Sequence, residues 1–206
     1  MALVCEEIRP TFFSSVQELG DFTDYNFQTF IACSQILLDF LTLWGSRFYI
    51  VKSDVDGNIK KVSNAVKSLN VTSLKDMLAL EQQLNICKKD SSGSVGLLWL
   101  KRTYDFLLKT LWYLSQSGSD ESMRNIILQA YDQTLRKYHN KFMRQTFKVV
   151  LFSLPKRAAF IKKLALDQDD CEQLVLKGAT DCVHMVKPLV HQLNQLLIEF
   201  QLEDTD

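Results

Sequence analysis

Apolar residues recur at helical spacing along most of the chain. Phe27, Phe30, Ile31, Leu37, Leu38, Leu41 and Trp44 predict a helix over 24–44, ended by Gly45. Further helices are expected over 54–68 and 73–87, the latter capped by Thr72 or Ser73. After the loop "KKDSSGS", with Ser94 as cap, the stripe Val95, Leu98, Trp99, Phe106, Leu107 and Leu111 predicts a helix over 95–115. "SQSGSDES" is the next loop. A long helix is then expected from 121 to Leu154, stopped by Pro155, and a short one over 156–166. The last, 168–202, carries Val175, Ala179, Cys182, Val186, Leu189, Leu193, Leu196 and Phe200 in alternating steps of four and three. That spacing suits a coiled-coil seam or the core face of a globular bundle; Pro188 interrupts it and favours the bundle.

The expected fold class is all-α, a single domain over 1–206 with seven or eight helices. Seven Gly and three Pro in 206 residues leave few breakers, and 47% apolar residues supply one sizeable core. The 24 basic and 24 acidic side chains balance, so whole-chain charge gives no argument for nucleic acid. Five cysteines without a C-x-x-C pair read as reduced thiols, and the acidic N-terminus lacks the pattern of a signal peptide. No run of eighteen apolar residues occurs, so no membrane span is expected and the chain reads as cytosolic. "NVT" at 70–72 matches a glycosylation sequon and is read as inert.

One polar pattern stands out. Asp54, Asn58 and Lys61 fall within roughly 60° of one another on a helix at about 100° per residue. Gly57, between the first two, weakens the helix by about 1 kcal/mol against alanine and opens its backbone to close approach. In the plain reading Ser53 caps the helix and Asp54 and Asp56 complement its dipole as solvated charges. In the alternative, a carboxylate, a carboxamide and an ammonium together satisfy the donors and acceptors of a polyhydroxylated head group.

"DVDGNIKK" at 54–61, "GLLWLKR" at 96–102 and "LRKYH" at 135–139 resemble, in order and spacing, the three signatures of the glycolipid transfer protein family. The resemblance extends over about 20–200. It implies a two-layer bundle of about eight helices that carries a glycosphingolipid (glucosyl-, galactosyl- or lactosylceramide) between membranes. Asp54 would bind sugar hydroxyls and the ceramide amide N–H, with Asn58 and Lys61 completing the sugar site. Trp99 would be the platform under the first sugar ring, and His139 would bond the amide carbonyl. These chemistries suit an indole face and a neutral imidazole. Taken alone, Trp99 reads as a core residue and His139 as a structural one.

A carrier must also shelter hydrocarbon. Each methylene is worth about 0.8 kcal/mol, so roughly 30 of them put on the order of 20 kcal/mol against bare exposure of a ceramide. The resemblance implies an interhelical tunnel lined by Phe40, Phe48, Val51, Phe106, Phe147, Val150 and Leu151; a filled core has the same composition. Residues 133–166 contain no acid and nine bases. The segment is either a solvated face or a transient docking surface for an anionic membrane, through Lys141, Phe142, Arg144, Lys156 and Arg157. Family members commonly have His-Gly-Trp where this chain has His139, Asn140 and Lys141, with Phe142 next.

Within the same fold, ceramide-1-phosphate transfer is the alternative. That branch carries Lys at the place of Asn58 and Arg at the place of Trp99, so the residues here favour a neutral sugar. A lipid-sensing or interaction module is a further alternative. No G-x-S-x-G, H-E-x-x-H, P-loop or Cys–His nucleophile occurs, so no enzyme, cofactor or metal is expected. A monomer without nucleic-acid partners completes the expectation.

Overall fold

In a computed structural model, residues 9–17 and 27–203 are described; the expected helix start at 24–26 lies outside them. The described residues form helices and no strand: α1 Ser14–Gln17, α2 Phe27–Thr42, α3 Tyr49–Ser68, α4 Leu74–Gln83, α5 Gly93–Gln116, α6 Met123–Gln133, α7 Lys141–Leu151, α8 Arg157–Leu164 and α9 Glu172–Glu199. The all-α expectation holds. α5 packs against α3, α4, α6 and α9, which makes it the axis of the bundle.

Local chemistry sets most boundaries. Ser73, Ser92, Ser122 and Asn140 each accept a backbone N–H from three residues on, at 2.9–3.1 Å. Of the two caps expected for α4, Thr72 and Ser73, the cap is Ser73, whereas α5 is capped by Ser92 and not Ser94. Ser94 lies inside the helix, where its hydroxyl donates to buried Glu81 at 2.6 Å. Glu81 also accepts the Gly93 and Ser94 backbone N–H groups, both at 2.8 Å, placing a carboxylate at a helix N-terminus. α4 stops at Gln83, before the expected 87, because Asn85 turns left-handed (φ 56°) and Ile86 N–H closes back on Glu81 O at 2.9 Å.

Two expectations are corrected. The helix bearing Asp54 begins at Tyr49, so Ser53 is interior and caps nothing. The single helix expected over 121–154 is instead α6, a 3-10 turn over Leu135–Lys137, and α7. Thr134 leaves helical geometry (φ −123°, ψ −83°) while its hydroxyl bonds Ala130 O, and Asn140 restarts the chain as a cap. Short polar side chains here compete with the helical ladder, which the apolar spacing does not register.

The seam of α9 is buried throughout, from Val175 to Phe200, and α9 packs on α5, so the core-helix reading of the heptad pattern is the right one. Pro188 stays within α9, its ring exposed to solvent. At the other end Trp44 is fully buried and meets Phe40, Phe48, Phe106 and Phe160 edge-on at 5.0–6.4 Å. Gly45, at φ 106°, makes the turn from α2 toward α3.

Candidate functional site

The polar stripe is held against α5 by a glycine, but not the expected one. A Cβ at Gly57 would meet nothing within 4 Å, whereas a Cβ at Gly96 would sit 2.8 Å from Asn58 O and 2.9 Å from Lys61 Cβ. Only glycine lets α3 and α5 approach this closely. The helices run antiparallel, because Gly93 abuts Ala65 while Gly96, nearly one turn on, abuts Asn58 and Lys61. The next turn of α5 carries Trp99, level with the Asp54–Asn58 turn of α3.

Asn58 is buried and its carboxamide N–H donates to Asp54 Oδ2 at 3.4 Å. Asp54 is exposed yet crowded: desolvation pushes its carboxyl above the ordinary value, the Lys61 ammonium pulls it down and Asp90 pushes it up. Lys61 reaches Asp90, on the loop before α5, at 3.6 Å. Across the site the His139 ring lies 5.8 Å from the Trp99 indole, tilted by 36°. Its Nδ1 is 3.0 Å from the Tyr131 hydroxyl, and Tyr131 stacks on Phe147 at 3.9 Å. Burial, then the Arg144 charge, hold His139 below its usual titration range, so the imidazole is neutral at pH 7. If the Tyr131 hydroxyl donates to Nδ1, the ring proton sits on Nε2, which can then donate to an acceptor.

An ion cluster flanks the indole. The Arg102 guanidinium carbon lies 5.2 Å from the Trp99 ring centre and 3.5 Å from that of Tyr138. Arg102 Nε and Nη2 bond both oxygens of Glu203 at 3.0 and 2.9 Å, and the Tyr138 hydroxyl donates to Glu203 at 3.4 Å. Lys101 pairs with Asp105 at 2.9 Å and lies 3.9 Å from Glu203. Burial alone would raise the Glu203 carboxyl; the hydrogen bonds and charge of Arg102, with Lys101 and Tyr138, reverse this and hold it low.

Thus the structure brings Asp54, Asn58 and Lys61 together on α3, sets Trp99 one turn past their contact with α5, and faces Trp99 with His139. Tyr131, Gly96, Arg102 and Glu203 join them unannounced by any expected role. Arg102 lies inside "GLLWLKR"; Glu203 is distant in sequence and its pairing has no local signal.

Of the seven expected tunnel residues, Phe40 lines an apolar cavity of about 60 Å³ among α1, α2, α5 and α9. Phe48, Phe106, Phe147, Val150 and Leu151 are buried in the core, and Val51 is half-buried against it. Lys141 and Lys156 are exposed, and Phe142 is 78% exposed at the start of α7. Half-buried Arg144 donates to Arg136 O at 3.1 Å. Arg157 must leave the docking set: it is only 7% exposed and pairs with Glu172 at 2.6 Å, where it cannot present its charge to a surface. Unexpected apolar exposure occurs at Tyr49, Ile50, Val149 and Phe152.

Known proteins share this arrangement of elements. The family model described as "Glycolipid transfer protein (GLTP)" matches residues 25–166. Glycolipid transfer protein 3 of Arabidopsis thaliana is 29% identical over 164 residues, 79% of this chain and 70% of its own length. A glycolipid transfer protein of Aureobasidium melanogenum is 32% identical over 145 residues, 69% of each chain. Among solved structures, the GLTP-fold of FAPP2, described as selecting simple glycosphingolipids, superposes with a TM-score of 0.80 at 25% identity, covering 95% of this chain and 98% of that one. Human ceramide-1-phosphate transfer protein bound to its 12:0 lipid shares the fold at 21% identity and a TM-score of 0.79, covering 95% of this chain and 97% of that one. The matched segment includes all three sequence signatures, and the fold built around them is shared over 95% of the chain; the chain belongs to the glycolipid transfer protein family.

Proposed function

We propose that the chain binds a glycosphingolipid and transfers it between membranes, holding the sugar at Asp54, Asn58, Lys61 and Trp99 and the ceramide amide at Asp54 and His139. The close contact at Gly96, which sets the Asp54–Asn58 pair level with the indole, is the observation that carries this reading. Asp54 accepts hydroxyl and amide protons, Asn58 both donates and accepts, and Lys61 donates. Trp99 packs on the C–H face of a pyranose, and the neutral His139 donates to the amide carbonyl. No covalent bond is made or broken. A neutral head group is favoured over a phosphate because three cations bordering the site already have carboxylate partners: Lys61 has Asp90, Lys101 has Asp105 and Arg102 has Glu203.

The hydrocarbon enters between the helices, through the cavity that Phe40 lines and on into the aromatic core of Phe48, Phe106 and Phe147. Docking uses Phe142, Lys141 and Lys156, with Arg144 in support; Val149 and Phe152 extend the apolar part of this surface. Among the described residues no helix is long and apolar enough to cross a membrane. In this reading the carrier is a cytosolic monomer that touches membranes only transiently.

Vesicle-to-vesicle transfer of galactosylceramide tests the assignment. Asp54→Val abolishes transfer and Trp99→Ala lowers it by at least about tenfold, roughly the worth of one well-placed contact of 1.4 kcal/mol. Circular dichroism remains native in both. Asp54→Val retains the fold because the raised carboxyl works against stability once ionised: its contribution is full below the ordinary value of 3.8 and is lost as pH rises through the higher folded value. Wild-type transfer rates in either variant refute the site. Native mass spectrometry of the purified protein with co-purifying lipid identifies the natural cargo, and ceramide-1-phosphate in its place refutes the sugar reading.

A further inference from the structure

The signature motifs say nothing of residue 203, yet its side chain is only 7% exposed and bonds both forks of the arginine beside the indole. We propose that Glu203 is a specificity-determining residue that neutralises Arg102 at the indole border of the head-group site, so that the protein accepts neutral sugars and rejects sulfated or phosphorylated head groups. The inference rests on the reading that the exposed face of Trp99 receives the head group.

Arg102 is the cation whose placement beside the indole is direct, its guanidinium carbon 5.2 Å from the ring centre. A sulfate or phosphate on a sugar over that ring falls within reach of the guanidinium, and an arginine fork is the usual partner of such an anion. Here the Nε–Nη2 edge of the fork is already occupied. Glu203 takes Nε and Nη2 through its two oxygens, and Tyr138 adds a third hydrogen bond that fixes the carboxylate. The same carboxylate lies 3.9 Å from Lys101, whose other partner is Asp105. An incoming anion must therefore either displace a bidentate carboxylate from a largely buried pair or take the remaining Nη1 side of the guanidinium with that carboxylate beside it, and it meets a like charge either way. A neutral pyranose does neither. Stacking of Arg102 on Tyr138 at 3.5 Å keeps the guanidinium in place, so removal of the carboxylate leaves a preformed anion site.

The test compares binding of galactosylceramide and its sulfated counterpart from otherwise identical neutral vesicles. Glu203→Gln keeps the shape of the side chain and removes its charge; it shifts the affinity ratio toward the sulfated lipid by about tenfold, at the low end of couplings seen for close charge pairs. Arg102→Gln, which keeps the carboxylate and removes its partner, shifts the ratio the opposite way. Combining the two substitutions returns the ratio toward wild type. The opposite sign of the single variants separates an electrostatic role from general loosening, which lowers both affinities together. Circular dichroism checks each fold, and either single variant that folds decides the sign. If wild type binds galactosylceramide but neither substitution moves the ratio, the role of Glu203 is overturned and the binding reading stands. If wild type binds neither lipid, both fall.

Discussion

At Gly96 one hydrogen atom decides how near α3 comes to α5. Gly→Ala in an ordinary helix interior stabilises by about 1 kcal/mol. At Gly96 the added methyl meets a backbone carbonyl at 2.8 Å, and backbone cannot swing aside as a side-chain end can. Gly57 faces open space. Thermal melts of the two alanine variants therefore move in opposite directions: Gly57→Ala rises, and Gly96→Ala falls by several degrees with loss of glycolipid binding. Equal shifts would remove the close contact as the organising feature of the site. His139 carries a second residue-scale prediction. Its folded titration lies below the ordinary 6.5, so the unfolded chain takes up the proton first. The stability this gives is present above pH 6.5 and is lost as pH falls through the lower folded value. His139→Gln removes that loss, so the melting-temperature gap between wild type and variant narrows or reverses between pH 7.5 and pH 5. A pH-independent gap contradicts a desolvated neutral imidazole.

Among the elements, those with a long apolar period were legible in the sequence and those set by one polar side chain were not. α2, α5 and α9 declared themselves through buried stripes, and Ser73 through its position before one. The helix over 121–154 looked continuous because Leu135, Phe147, Val150 and Leu151 keep apolar residues coming. The break at 134–140 rests on hydrogen bonds of Thr134 and Asn140, single polar side chains that leave the apolar period around them unchanged. Asp54, Asn58 and Lys61 could be grouped from spacing alone, since they share one helix. Their neighbours Tyr131, Arg102 and Glu203 come from three separate segments, and only packing joins them. The break matters for the site, because it turns His139 back toward Trp99. Asn140→Ala deletes the 2.9 Å cap on Met143 N–H and costs about 1 kcal/mol, a fall of roughly 2–4 °C for a chain of this size. Galactosylceramide affinity falls with it, while Ser122→Ala, which removes the equivalent cap of α6 away from His139, lowers the melting temperature alone.

For the molecule as a whole, the question is how a filled bundle accepts hydrocarbon. The cavity among α1, α2, α5 and α9 has a volume of about 60 Å³, room for no more than a few water-sized groups. An acyl chain needs many times that, so its uptake requires the walls to part. The α1 wall is a single turn, held by Phe13 against Gly178 and by Phe12 against Phe40 at 5.6 Å. The opposite walls, α5 and α9, form the axis of the bundle. In the proposed reading the cavity is where a chain starts to enter, so filling it is expected to impede long chains first. Cys182, on α9, lines it, and burial holds its thiol protonated by pushing its titration up to about 12, so an apolar replacement removes no charge. Cys182→Leu exchanges sulfur for carbon and adds two further carbons to a space that can take them. The melting temperature is expected to hold or rise, as for cavity filling elsewhere. Transfer of long-acyl galactosylceramide is expected to fall several-fold, while a short-acyl analogue, which needs less of the interior, moves at nearly the wild-type rate. Equal effects on both lipids would place the entry of the chain elsewhere, most directly along Phe106 and Phe147. An unchanged rate for the long chain, in a variant whose melt confirms that the cavity is filled, would show that this space takes no part in carrying the lipid.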